Sequence, residues 1–164
     1  MSATCSALPD YLEESILLHP QKRKFPNFDL RRLLDTVFTP TQGCKICVLV
    51  DFDDPQAMIQ DLRFLQEEGF PIQKRAHQHF HLGLVNGVME ELGMHGGEMF
   101  AYRMTYGSNL DLADEVWDTK GQQLSFDRDI YPNYDLILCI STYSATAPLT
   151  AKAKEFGFRG ATLH

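Results

Sequence analysis

The chain contains no apolar run approaching the roughly 20 residues that a membrane-spanning helix requires. Its first residues, MSATCSALPDYLEES, lack the basic start and apolar core of a secretory leader, so a cytoplasmic location is expected. Cysteine is scarce: four residues (Cys5, Cys44, Cys47 and Cys139) are too few for a disulfide scaffold and are expected as reduced thiols. Positive charge is also short, with 15 Lys and Arg against 22 Asp and Glu and a net charge of -7. Phosphate backbones and anionic bilayers require a basic excess, so neither nucleic acid nor membrane is expected as a partner. The one basic cluster, QKRK at Gln21 to Lys24, is too short to reverse that balance. GxGxxG, the P-loop GxxxxGK[ST] and the nucleophile elbow GxSxG are all missing.

What remains is an ordinary globular composition, 44% hydrophobic and 23% charged over 164 residues. That length suits one domain burying about two-thirds of its unfolded surface. Residues 1–27 read as a peripheral extension: LPDYLEESILLHP suggests a short helix, and Pro20 and Pro26 bracket a basic connector. Residues 28–164 read as a single α/β domain, whole or the N-terminal part of a longer protein.

Within that domain, Asn27 is a candidate N-cap for a helix placing Leu30, Leu33, Leu34 and Val37 on one face. KICVLVDF is nearly all apolar and β-branched, the pattern of a strand buried on both faces. Asp54 and Pro55 suit the N-cap and N1 positions of a helix to Glu68, closed by Gly69. FPIQKRA then reads as a second strand, LGLVNGVMEELG as a helix and EMFAYRMT as a third strand. DLADEVWD reads as a short helix or turn, YDLILCIS as a strand, Ala147 to Phe156 as a helix, and FRGATLH as a strand beginning. Alternating strands and helices predict a mostly parallel sheet of about four or five strands with helices on both faces, Rossmann-like and three-layered.

Four stretches could carry chemistry. In KRAHQHFHLG, the histidines 77, 79 and 81 recur at every second position. On an extended strand their imidazoles would share one face, roughly 6.5–7 Å apart, and could converge on zinc. On a helix they diverge. CKIC, Cys44 to Cys47, precedes a strand instead of opening a helix, the wrong setting for a redox pair, and no second CxxC completes a zinc site. Cys47 therefore reads as a small core residue. STYSATAPLT offers Ser141, Thr142, Ser144 and Thr146 between a strand and a helix. Together with helix N-terminal amides these hydroxyls could hold a small anion, although helix capping explains the same composition.

VLVDFDD places Asp51 and Asp53 at the C-terminal end of the apolar strand. This resembles the opening motif of haloacid dehalogenase-like phosphatases, which implies Asp51 as nucleophile and Asp53 as general acid. Ser141 and either Lys152 or Lys154 would supply that family's later motifs. Asp53 runs into Asp54-Pro55 where that family has Thr or Val, and the late acidic pair for Mg²⁺ is missing. Helix capping by Asp53 and Asp54 is the simpler reading.

The order of segments from residue 28 to 164 is similar to a second family. FDLRRLLDTVFTPTQGCKICVLVDFDDP resembles the opening of metallo-aminopeptidases of the aminopeptidase T and aminopeptidase S type. ADEVWD and YDLILCISTYSATAPLTAKAKEFGFRGATLH resemble their next section. The resemblance rests on segment order and hydrophobic pattern. It implies an N-terminal α/β domain that contributes to fold and assembly, as in a homodimer. In that family a C-terminal half supplies the two-metal centre and acts on peptide substrates. None of those metal ligands has a counterpart here, so no catalytic residue is carried over and this chain alone is expected to be inactive.

Overall fold

The computed structural model describes residues 27–164. The short helix and basic connector expected before Asn27, and Cys5, lie outside the described residues.

Helix α1, Leu30–Phe38, starts at Asp29, whose carboxylate accepts from the Arg32 amide at 2.9 Å. The N-cap is thus two residues later than Asn27, and the buried stripe shifts with it to Leu30, Leu34 and Phe38, leaving Val37 exposed. Strand β1, Lys45–Phe52, is buried along nearly its whole length. Ile46, Val48, Val50 and Phe52 enter one apolar cluster while Cys47 and Leu49 enter another, because alternate strand residues point to opposite sides. Cys47 is a core thiol, and burial pushes its pKa well up, which disfavours the thiolate that redox chemistry or metal binding needs.

Asp54 caps α2, Pro55–Ile59, by accepting from the Ala57 amide, as its position before Pro55 predicts. The helix does not run on to Glu68. It passes into a 3₁₀ segment, Gln60–Leu65, with Asp61 and Leu62 in left-handed conformation. The Asp61 amide donates to the Thr119 carbonyl at 2.8 Å instead of to its own helix, so a long-range bond overrides the local pattern.

FPIQKRA is helical and not a strand. Helix α3, Pro71–Arg75, has Pro71 in the first turn, where its fixed φ and missing N–H cost nothing. It continues through wide π turns at Ala76–His81 and Leu84–Val88, with a kink at Asn86 and Gly87, into α4, Met89–Glu91. The chain between β1 and the next strand is therefore helices and turns throughout.

Strand β2, His95–Arg103, lies parallel to β1, with a bulge opposite Ile46 and Cys47. DLADEVWD ends in a strand, not a helix: β3, Val116–Asp118, pairs antiparallel with β2 and with β4, Gln123–Leu124. Asp118 closes that hairpin by accepting from the Lys120 and Gln122 amides. A helical turn, Phe126–Ile130, leads to β5, Leu136–Ile140, then α5, Thr146–Phe156, and β6, Arg159–Leu163. The sheet has six strands in the order β4-β3-β2-β1-β5-β6, parallel except for the β3–β4 edge. Among the described residues no helix is long and apolar enough to cross a membrane.

The turn at Phe126–Ile130 is tied down by carboxylates. Asp114 accepts from the Ser125 hydroxyl and the Asp127 amide, and Asp129 accepts from the Ser125 amide. The Asp127 amide chiefly holds the Asp114 carboxyl below its ordinary range, and the Ser125 amide does the same for Asp129. A depressed folded-state pKa stabilises above the unfolded value and is lost as pH falls through the folded one. Stability should therefore decline below about pH 4. Denaturant titration of Asp114→Asn from pH 5 to 2 should show a shallower decline than the parent; an unchanged slope would separate these bonds from acid sensitivity.

Candidate functional site

In the parallel part of the sheet, β1 is flanked by β2 on one side and β5 on the other, so the chain direction across the sheet reverses there. Open α/β sheets form their ligand crevice outside the C-terminal ends of the strands at such a point. The residues there are Asp51 to Asp54 at the end of β1, Arg103 to Asn109 from the last residue of β2 onward, and Ser141 to Thr146 after β5.

Asp51 is 1% exposed and its carboxylate is saturated with donors. Oδ1 accepts from the Thr142 amide at 2.8 Å, the Thr142 hydroxyl at 3.1 Å and Gln73 Nε2 at 2.8 Å. Oδ2 faces the Thr142 and Tyr143 amides at 3.0 and 3.4 Å. Gln73, itself buried, also donates to the Asp51 carbonyl and to Thr142 Oγ1. This arrangement binds the end of β1 to the loop after β5 and to the third residue of α3. It leaves the carboxylate without the open face that in-line attack on a phosphoryl group needs.

Asp53 is exposed, and its Oδ1 accepts a short hydrogen bond from the Tyr106 hydroxyl, while its carbonyl accepts from Arg103 Nη1 at 2.8 Å. That bond to Asp53 raises the Tyr106 phenol above its ordinary range. Asp54, not Asp53, performs the capping. The structure thus separates Asp51 and Asp53, one buried and bridging, the other at the surface.

Ser141 is fully buried and donates to the Tyr143 carbonyl at 2.7 Å, so it faces the loop interior and not the crevice. Ser144 and Thr146 do reach the rim. There the Thr146 amide donates to Ser144 Oγ and the Ala147 amide donates to Asn109 Oδ1 at 3.0 Å. The amides that would grip an anion at the start of α5 already have acceptors within the protein.

The histidines do not share a face. On the helical path His77 and His81 fall one turn apart, ring centroids 5.3 Å from each other, while His79 turns away toward Phe28 at 5.8 Å. His81 Nδ1 lies 2.9 Å from the Gly97 carbonyl at the β2 bulge. Burial first, and His81 second, lower the His77 pKa, which favours its neutral ring. Among the described residues no group of three or more His, Cys, Asp or Glu is arranged to hold a metal ion.

Gln73, Arg103, Tyr106 and Asn109 were not distinguishable from the sequence. Gln73 carries one available signal, a polar residue at a buried position of what proves to be a helix. No protein family, curated protein or solved structure matches the chain.

Proposed function

We propose that this chain is a scaffold domain, Rossmann-like and three-layered, that forms the N-terminal part of an aminopeptidase T-like metallopeptidase. The catalytic divalent metals and peptide-binding groups of such an enzyme would come from sequence other than these 164 residues. The observation that carries the non-catalytic part is Asp51. The residue best positioned for chemistry, at the switch point of the sheet, has all its acceptor capacity engaged by Thr142, Tyr143 and Gln73. The two apolar clusters support the layered architecture: α1 with the helices between β1 and β2 contributes to one, and α5 with the Phe126–Ile130 turn contributes to the other. The order helix, apolar strand, helices, strand also agrees with the segment order that suggested the family.

Two measurements test this. Incubated with aminoacyl chromogenic substrates and Co²⁺ or Zn²⁺, the chain should give no turnover above metal alone; robust hydrolysis refutes the scaffold role. Reading the coding frame beyond His164 should reveal segments bearing Glu, His, Tyr and Asp. A stop codon at that point removes the aminopeptidase assignment while leaving the scaffold role standing.

A further inference from the structure

We propose that His77 and His81 form a two-imidazole chelate for a borderline divalent cation of the Zn²⁺, Ni²⁺ or Cu²⁺ class, with His79 excluded. The site is independent of the aminopeptidase reading, whose metals would lie elsewhere. Its basis is the helical path of residues 71–81. A spacing of four on a helix stacks two side chains on one face, the same principle by which paired histidines ligate zinc in helical motifs.

The distances suit it. A ring bound through nitrogen at about 2.0–2.1 Å has its centroid about 3.2 Å from the metal, so two rings at a tetrahedral angle stand about 5.2 Å apart. The observed separation is 5.3 Å. His81 brings a further feature: Nδ1 lies 2.9 Å from the Gly97 carbonyl, which can only accept, so this contact fixes Nδ1 as the protonated nitrogen. Nε2 is then the lone-pair atom. Ligating histidines are regularly oriented in this way by a carbonyl on the other ring nitrogen.

His81 also lines an open cavity of about 520 Å³ together with Glu98, Asp118 and Lys120. His77 does not line this cavity, but on the His81 side its two carboxylates outnumber the single ammonium, which favours a cation nearby. With two protein ligands, imidazole in type, the order of affinity should follow Cu²⁺ above Ni²⁺ and Zn²⁺.

The test uses the full chain and Zn²⁺ alone, followed by calorimetric titration and by thermal unfolding, because a ligand bound only by the folded state raises Tm. The parent and His79→Ala should bind one Zn²⁺ alike, with Tm rising as metal is added. His77→Gln and His81→Ala should each weaken binding at least tenfold and abolish the Tm rise. If His81→Ala is unstable for want of its bond to Gly97, His77→Gln carries the result. Absence of binding by the parent at millimolar Zn²⁺, unchanged affinity in His77→Gln, or an equal loss in His79→Ala would each overturn the site.

Discussion

Asp51→Ala should lower the free energy of unfolding by about 2–3 kcal/mol, because it removes a buried carboxylate that serves as acceptor for part-buried donors. The Thr142 and Tyr143 amides lose their acceptor outright, whereas the two hydrogens of Gln73 Nε2 still find the backbone carbonyl of residue 51 and Thr142 Oγ1. An unsatisfied buried donor costs about 1–3 kcal/mol, and these two amides, being only part-buried, stand at the lower end of that range. Asp51→Asn keeps the shape but places an NH₂ among groups that are themselves donors, so a loss of about half that size is expected. Urea denaturation should show a lower midpoint with an unchanged slope. The pair of variants separates two roles. A nucleophile replaced by its amide loses turnover and keeps its fold, whereas the bridging carboxylate described here loses stability. A change below about 1 kcal/mol in Asp51→Ala would contradict the bridging role.

Gly96→Ala should be destabilised by about 2–4 kcal/mol for two separable reasons. Gly96 has φ +96°, a conformation that L side chains rarely adopt, and a Cβ there would stand 2.6 Å from the Ile46 carbonyl oxygen. That oxygen belongs to the backbone of the central strand β1 and cannot swing aside. Gly157, with φ +84° and nothing within 4 Å of an added Cβ, isolates the conformational part. Gly157→Ala should cost only about 1–2 kcal/mol. The difference between the two variants, read by the same denaturation, measures the close approach of β2 to β1. Equal losses would mean that the bulge yields. Because Gly97 follows directly and its carbonyl meets His81, Gly96→Ala should also weaken Zn²⁺ binding.

Segments whose pattern admits one solution were legible without coordinates. KICVLVDF and YDLILCIS are short, apolar on both faces and carry β-branched residues, which together favour an interior strand, and they became the adjacent β1 and β5. Asp54-Pro55 marked a helix start because both cap chemistry and proline geometry point the same way. FPIQKRA had no such agreement. Its seven residues suit an edge strand as well as a first helical turn, and the outcome depended on Pro71 and on continuation into the next twenty residues. The three histidines changed meaning with it: alternation on a strand would group all three, whereas the helical turn groups His77 with His81 and ejects His79.

The sequence by itself determined an acidic α/β domain with a parallel core and an aspartate at the end of its central strand. Only the tertiary structure decided what that aspartate does. Its partners, Thr142 and Gln73, lie 91 and 22 residues away and meet it because β5 docks beside β1 and α3 begins below them. Local periodicity reports which face a residue presents. It carries no information about which distant donors the packed sheet will bring to that face.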